Sequence, residues 1–425
     1  MNAIIYANEY TKETPIKFGK PSARLYLAAP VELSWAYREE KMKSIKVGLI
    51  GTGYIGLVHL EMLRRVVGVE VLAVADKNRE LAAQAAKRLS IPKVYAEAEE
   101  LIADPDIEVI HNCAPNHVHF EINRRAILAG KEVLSEKPLS LNSRESAELV
   151  ELAKKNSALT AINFCYRYYP VIQEAAARAR RGDLGEVRAF LGHFLQDWLF
   201  FETDYSWRLD PKIAGAANVI ADLGSHWCDL VQFITGRKIT EVMAELHTCL
   251  PKRRKPTTGP LSFSSQKAAD YEDVEVKLDD YAALFMRLDN GARGNFTTCQ
   301  VAAGRKVDIE LQLFGSKESY AWSHVHPNAL WIGHRDRANE VFYESSQLQA
   351  EETRKYATLP TGHPMGYHDA VYNLFRDYYG ALAAKREGRA YEARFPDFIT
   401  GHEEMCVIDA AVESHRSGRW TRVHR

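Results

Sequence analysis

The sequence predicts an α/β protein, with a doubly wound domain on a parallel sheet followed by a second α/β domain whose sheet is at least partly antiparallel. Three observations carry this. From about Ser44, short runs that are apolar throughout alternate with helical stretches, as expected for a parallel sheet covered on both faces. The first run leads straight into "GTGYIG", which opens a helix. Beyond about residue 186 the runs lengthen, and "DNG" at Asp289 to Gly291 falls between two of them as a hairpin turn.

A chain of 425 residues is too long for one ordinary core, and the expected division is 44–166 and 167–425. Residues 1–43 have no clear periodicity and read as a poorly ordered extension on which no function is built. Lys and Arg number 55 against 56 Asp and Glu, without the basic surplus that nucleic acid or an anionic membrane would call for. The six cysteines are scattered singly, with no spacing that suggests a metal site or a disulfide framework, so a reducing, cytoplasmic setting is expected. No apolar run approaches the length of a membrane span, and no secretory signal is recognisable.

In chain order, "IKVGLI" reads as a strand, "VHLEMLRRV" as a helix, "VEVLAVAD" as a strand, "RELAAQAAKRL" as a helix, and "IEVIHNCAP" and "KEVLSEKP" as further strands. Gly51, Gly53 and Gly56 fall on a GxGxxG between strand and helix, with Tyr54 and Ile55 in the same turn, and Asp76 ends the second strand twenty residues after Gly56. Gly51 permits the tight turn, Gly53 lets the backbone approach a pyrophosphate, and the helix N-terminus offers N–H groups to the anion. Asp76 is expected to accept from the adenosine ribose hydroxyls, which favours NAD; the neighbouring Lys77 leaves NADP open. Ligands of open α/β sheets bind beyond the carboxyl ends of the strands. That puts "CAPNHVH", with Cys113, Pro115, Asn116 and His119, and "SEKP", with Glu136 and Lys137, beside the cofactor.

The second domain reads as "EVRAFLGHFLQDWLF", "ITEVMAELHTC", "DYAALFMRLDNGARGNFTTCQVA" and "KVDIELQLFG", all strand-like. Helices over one face would leave the other for a second subunit. Pro251 to Asp273 reads as a charged, solvated loop. Gln196 to Arg208 is unusually aromatic, with Trp198, Phe200, Phe201, Tyr205 and Trp207 beside Gln196, Asp197 and Arg208. Sugars present apolar C–H faces and hydroxyl rims, which such a wall suits. In "YRYYP", Arg167 is expected to face the cofactor and Tyr166 the substrate.

The ordered set "GTGYIG", Asp76, "APNHVH", "EKP" and "DLGSHWCD" resembles the glucose-fructose oxidoreductase, inositol dehydrogenase and rhizopine-catabolism (Gfo/Idh/MocA) family, from about residue 45 onward. "QDWLFFETDYSWRLDP" and "TGHPMGYHDAVYNLF" resemble its sugar-oxidising, levoglucosan dehydrogenase-like branch. Two details depart from the family pattern: Ala114 stands where threonine is common, and "AGAAN" (Ala214 to Asn218) where a glycine run is common.

The resemblance implies a Rossmann domain, then an α/β domain on a large open, mostly antiparallel sheet, and a homo-oligomer, dimer or tetramer, through that sheet. It implies that Lys137, Asp222 and His226 are catalytic, acting on a sugar or polyol. On that reading His226, taken to start a helix, is the general base, kept neutral by the dipole and pulled the other way by Asp222 so that it titrates near working pH. Asp222 orients it and binds substrate, and Lys137 stabilises developing alkoxide. A glycosidase that oxidises its sugar transiently with bound NAD would need the same groups, and a non-catalytic sensor is the third possibility.

Overall fold

The computed structural model describes residues 44–257 and 270–425. The expected extension, residues 1–43, lies outside the described residues.

The first sheet has six parallel strands: β1 (Ile45–Ile50), β2 (Val69–Ala75), β3 (Lys93–Tyr95), β4 (Val109–Asn112), β5 (Glu132–Ser135) and β6 (Thr160–Ile162). Helices α1 (Tyr54–Leu63), α2 (Arg79–Leu89), α3 (Ala98–Ala103), α4 (Asn116–Leu128) and α5 (Ser143–Lys155) connect them. Val47, Leu49, Val74 and Val109 are fully buried, and successive residues such as Leu72 to Ala75 are buried together, which is why these strands carry apolar runs in place of strict alternation. The order is β3-β2-β1-β4-β5-β6, so the direction of winding reverses at β1 and opens a crevice at the carboxyl ends of β1 and β4.

Helix α6 (Pro170–Arg181) leads into the second region. Proline at its start and Gly182 in the left-handed conformation after its end (φ +85°) mark its limits. The elements that follow are β7 (Val187–Leu195), α7 (Pro211–Ala214), α8 (Ser225–Thr235), β8 (Ile239–His247), β9 (Lys252–Pro256) and β10 (Tyr271–Glu275). Then come β11 (Tyr281–Leu288), β12 (Arg293–Cys299), β13 (Asp308–Gly315), β14 (Ser319–Ser323), β15 (Ala329–Gly333), β16 (Glu340–Tyr343), α9 (Tyr367–Arg386), α10 (Phe398–Ser417) and β17 (Thr421–Arg422).

Nine of these strands form one sheet in the order β16-β15-β14-β13-β7-β12-β11-β8-β17. Every neighbouring pair is antiparallel except β7 and β12. The Asp289 to Gly291 turn joins β11 to β12 as expected, with Gly291 at φ +87°.

Alternate residues of β11 (Ala282, Leu284, Met286, Leu288) face the core. Helix α8 is seated on the sheet by Trp227, whose ring stacks 4.5 Å from Phe296 and whose indole N–H donates to Glu310 O at 2.8 Å. Gly192 makes room, since a Cβ there would lie 2.7 Å from the indole nitrogen and 1.9 Å from Glu310 O. This fixes the neighbouring residue, His226. The last two helices return to the first sheet: Tyr379 Oη lies 2.7 Å from His111 Nε2, and Asp409 accepts from Ser143 N at 2.7 Å. One core therefore runs from Val47 and Leu134 through Phe375 to Trp227, and the site lies along this seam.

The stretch expected to be a solvated basic loop is otherwise. Its two ends pair as the β9/β10 ladder, and Arg253 is 1 % exposed. Its two terminal nitrogens offset the cost of burial: Nη1 donates to the carbonyls of Leu199, Phe201 and Asp204, and Nη2 to the Asp280 carboxylate. The middle of the stretch, residues 258–269, lies outside the described residues.

Candidate active site

The glycine turn has the geometry its three glycines predict. Gly51 adopts φ +92°, and a Cβ on it would sit 2.5 Å from Cys113 O. On Gly56 a Cβ would meet Gly51 O at 2.0 Å, so helix and strand can pack only without one. On Gly53 it would meet nothing within 4 Å, leaving the open approach that a pyrophosphate needs. The N-cap Gly53 makes no side-chain cap bond and the first turn of α1 holds no acidic residue, an arrangement that suits an anion at the helix N-terminus. Asp76 is tied to the same turn. One of its oxygens accepts from Thr52 N (2.7 Å) and Thr52 Oγ1 (3.0 Å), and the other from Asn78 N (2.8 Å). Lys77, Tyr54 and Pro115 are exposed at the rim, with Ile55 and Asn116 half-buried.

Across the seam, Lys137 follows β5 and reaches Asp222, its Nζ lying 2.7 Å from Oδ1 and 3.0 Å from the main-chain oxygen of the same residue. Arg208 Nε stands 3.3 Å from that Oδ1, and Gln300 Nε2 donates to Oδ2 at 3.0 Å. Burial alone would raise the Asp222 pKa, but Lys137 and Arg208 outweigh it and hold the carboxyl far below the ordinary carboxylate range. Asp222 sits in a single π-helical turn, Ile220–Gly224, continuous with α8. Such turns recur at functional sites because the extra residue re-aims a side chain.

That turn corrects the expectation for His226. The helical segment begins before it, where the Asp279 carboxylate accepts from Asn218 N (2.7 Å) and Ile220 N (3.2 Å). His226 is therefore more than a turn inside, beyond the reach of the dipole end. No hydrogen bond joins it to Asp222, whose oxygens are engaged by Lys137, Arg208 and Gln300. Burial first, then the Lys137 charge, push the imidazole down to about 3, against the opposite pull of Glu136 and Asp222. It is neutral throughout the working range and does not titrate near it. Its ring lies edge-on to Tyr166 (4.8 Å) and Phe164 (5.6 Å), and its Nδ1 is buried with no hydrogen-bond partner among the described residues. A buried polar atom of this kind is expected where a ligand completes the site.

The aromatic wall meets this cluster through Arg208, whose guanidinium carbon lies 4.3 Å from the Trp207 ring centre and 5.8 Å from that of Trp198. Other expected residues are engaged elsewhere. Arg167 forms a buried two-point ion pair with Asp229 over the Phe233 ring instead of facing the cofactor. Glu136 points inward to His59 Nε2 (3.0 Å) and Asn163. His119 is fully buried, bridging Ala114 O (2.6 Å) and Pro138 O (2.7 Å), and so joins the two cofactor-side loops without entering the cleft. Cys113 is buried against His59 at 3.2 Å. Asp197 accepts from Lys306 Nζ (2.7 Å) and Gly304 N (3.0 Å), and the Gln196 backbone continues the sheet toward Cys299. Sequence reasoning missed Gln300 and Arg253, which belong to no motif. Among the described residues no cluster could hold a metal ion, and no helix is long and apolar enough to cross a membrane.

Comparison with known proteins bears on the family of the chain. A family model described as an oxidoreductase family with an NAD-binding Rossmann fold matches residues 45–164, and a GFO/IDH/MocA C-terminal domain model matches residues 172–321. The chain belongs to the GFO/IDH/MocA oxidoreductase family. Its cofactor is NAD, and the crevice at β1 is where such a fold holds it. This GFO/IDH/MocA chain is 28% identical to levoglucosan dehydrogenase of Pseudarthrobacter phenanthrenivorans, over 90% of this chain and 99% of that one. It is 25% identical to myo-inositol 2-dehydrogenase of Thermotoga maritima, over 64% of this chain and 73% of that one. Among solved structures it resembles levoglucosan dehydrogenase in complex with NADH and L-sorbose, with a TM-score of 0.80, 27% identity, and coverage of 90% of this chain and 100% of that one.

Proposed function

We propose that this oxidoreductase oxidises a secondary hydroxyl of a pyranose sugar or a cyclitol. The observation that carries the reading is the junction of Lys137, Asp222 and Arg208 beside a neutral, buried His226, with Trp198 and Trp207 flanking the guanidinium. The names of the relatives, a levoglucosan and an inositol dehydrogenase, support the substrate class. NAD supplies the hydride acceptor when bound; everything else falls to the chain. Asp222, ionised and doubly anchored, accepts from a substrate hydroxyl and orients the ring. Lys137 stabilises the oxyanion that forms as the carbinol hydrogen leaves, lowering the cost of losing the hydroxyl proton. His226 accepts that proton at a ring nitrogen. Arg208, stacked on Trp207, offers donors to neighbouring hydroxyls while the indole faces cover C–H surfaces.

The protein is further read as cytoplasmic, in keeping with six free cysteines, and as a homo-oligomer formed through the outer face of the large sheet, where Phe285 and Trp331 are exposed. The test of function is purified protein with NAD or NADP against levoglucosan, glucose, inositols and nitrophenyl glycosides, following reduced nicotinamide and aglycone in the same wells. Reduced cofactor in proportion to oxidised sugar is expected. Glycoside cleavage that needs NAD but accumulates no NADH, or no reaction with any sugar or cyclitol, would overturn the reading.

A further inference from the structure

Gln300 is fully buried just beyond the end of β12, and nothing in the motifs of the chain assigns it a role. Its surroundings leave its amide one orientation. The main-chain carbonyl of Asp279 can only accept, so the Asn218 side chain must present Nδ2 to it, and does so at 2.8 Å. The same Nδ2 donates to Gln300 Oε1 at 2.7 Å, which leaves Gln300 Nε2 to face Asp222 Oδ2 at 3.0 Å. Turning either amide over would set oxygen against oxygen at hydrogen-bond distance. The backbone of Gln300 is pinned as well: its N–H donates to Asp280 O (2.9 Å), and its carbonyl accepts from Leu199 N (3.1 Å), beside Trp198. Asn218, 2 % exposed, closes the "AGAAN" segment and supplies the amide on which this orientation depends.

We propose that Gln300 is a positioning residue for the reaction. Through a relay running from the Asp279 carbonyl by way of Asn218, it keeps an N–H donor on Asp222 Oδ2 and so fixes the plane of that carboxylate while Lys137 and Arg208 hold Oδ1. Two cations on Oδ1 alone would leave the carboxylate able to rotate about its Cβ–Cγ bond; a neutral donor on the other oxygen stops this without adding charge. Oδ2, which takes the single donor, retains a lone pair for a substrate hydroxyl. Because Gln300 is also bonded to the Leu199 main chain, the carboxylate and the aromatic wall keep a common register. The proposal rests on the assignment of Asp222 to the reaction made above.

The test compares Gln300→Leu, Gln300→Glu and Asp222→Asn across pH, with NAD affinity measured directly on each. In Gln300→Leu, kcat is expected to fall about tenfold or more, the loss typical of a removed preorganised donor, at every pH and with NAD affinity preserved. In Gln300→Glu the carboxyl can donate to Asp222 only when protonated, and burial beside another carboxylate raises its pKa. Its kcat is therefore expected to approach wild type at the acid end and to fall toward the leucine variant as pH rises. A Gln300→Leu enzyme within about twofold of wild type, or a Gln300→Glu enzyme whose pH profile parallels that of wild type, would overturn the proposal. If Gln300→Leu fails to bind NAD, the glutamate profile decides alone. Normal turnover by Asp222→Asn would bring down the underlying assignment and Gln300 with it. Dead Asp222→Asn beside normal Gln300 variants would bring down this inference only.

Discussion

Lys137 and Asp222 meet across the seam between the two sheets, with Nζ 2.7 Å from Oδ1 and 3.0 Å from the main-chain oxygen of the same residue. One ammonium thus ties the end of β5 to the π-helical turn that presents Asp222. The pair is only 13 % and 14 % exposed, so their attraction is weakly screened by solvent. Replacing Lys137 by methionine keeps the stem and removes the charge. It is expected to lower kcat by about 10²- to 10³-fold while changing NAD affinity little. Steady-state kinetics with a separate NAD titration checks this; lost NAD affinity with normal turnover at saturation would refute the role.

The imidazole of His226 is held at about 3, so the base proposed for the oxidation is already deprotonated well below neutrality. A group that must be unprotonated and titrates near 3 gives no acid limb above about pH 4 to 5. The profile of kcat/KM for alcohol oxidation should therefore be free of a His226 limb between about pH 5 and 8. A limb near 6.5 that disappears in His226→Gln would contradict the burial argument.

Gly53 and Gly56 separate cofactor binding from folding. Gly56→Ala forces a Cβ to within 2.0 Å of Gly51 O and is expected to lower both the melting temperature and NAD affinity. Gly53→Ala meets no protein atom within 4 Å, so the apo melting temperature should hold while NAD affinity falls. Equal effects of the two substitutions on the apo melting temperature would count against this division.

Glu136 is 6 % exposed and buried beside the site. Burial pushes its carboxyl up, yet His59, Lys137 and Asn163 together hold it at about 2, below its ordinary 4.5. A carboxylate with a depressed folded-state pKa stabilises the fold fully above the unfolded value and loses that contribution as pH falls through the folded one. The window here runs from about pH 5 down to about pH 2, and the contribution is on the order of 3 kcal/mol. Glu136→Gln should therefore be destabilised at pH 7 and show a flatter loss of stability on acidification. Parallel urea-unfolding curves for the two proteins across that window would refute the assignment.

What could be read in the sequence was what lies in contiguous runs. The glycine turn and the Asp289 to Gly291 hairpin are short contiguous patterns, and Asp76 stands at a fixed spacing from the first of them at the end of an apolar run. Lys137 and Asp222 were recognisable as members of an ordered set, although 85 residues separate them. The misreadings share one cause, a partner distant in the chain. Arg167 is claimed by Asp229 from 62 residues away, and Arg253 by carbonyls about fifty residues upstream. His226 was misjudged because the capping carboxylate of its helix, Asp279, comes from the loop before β11 and moves the helix start upstream. The short strands β3 and β6, three residues each, carry too little periodicity to register.

The most direct measurement is the fate of the carbinol hydrogen. The protein is incubated with NAD and a reactive sugar deuterated at its ring carbinol carbons, and both cofactor and sugar are recovered for mass spectrometry. The account predicts one deuteron transferred to the nicotinamide for each sugar oxidised, with transfer lost in Asp222→Asn. Deuterium that stays in the sugar while an aglycone is released, or reduced cofactor that carries no deuterium, would contradict it.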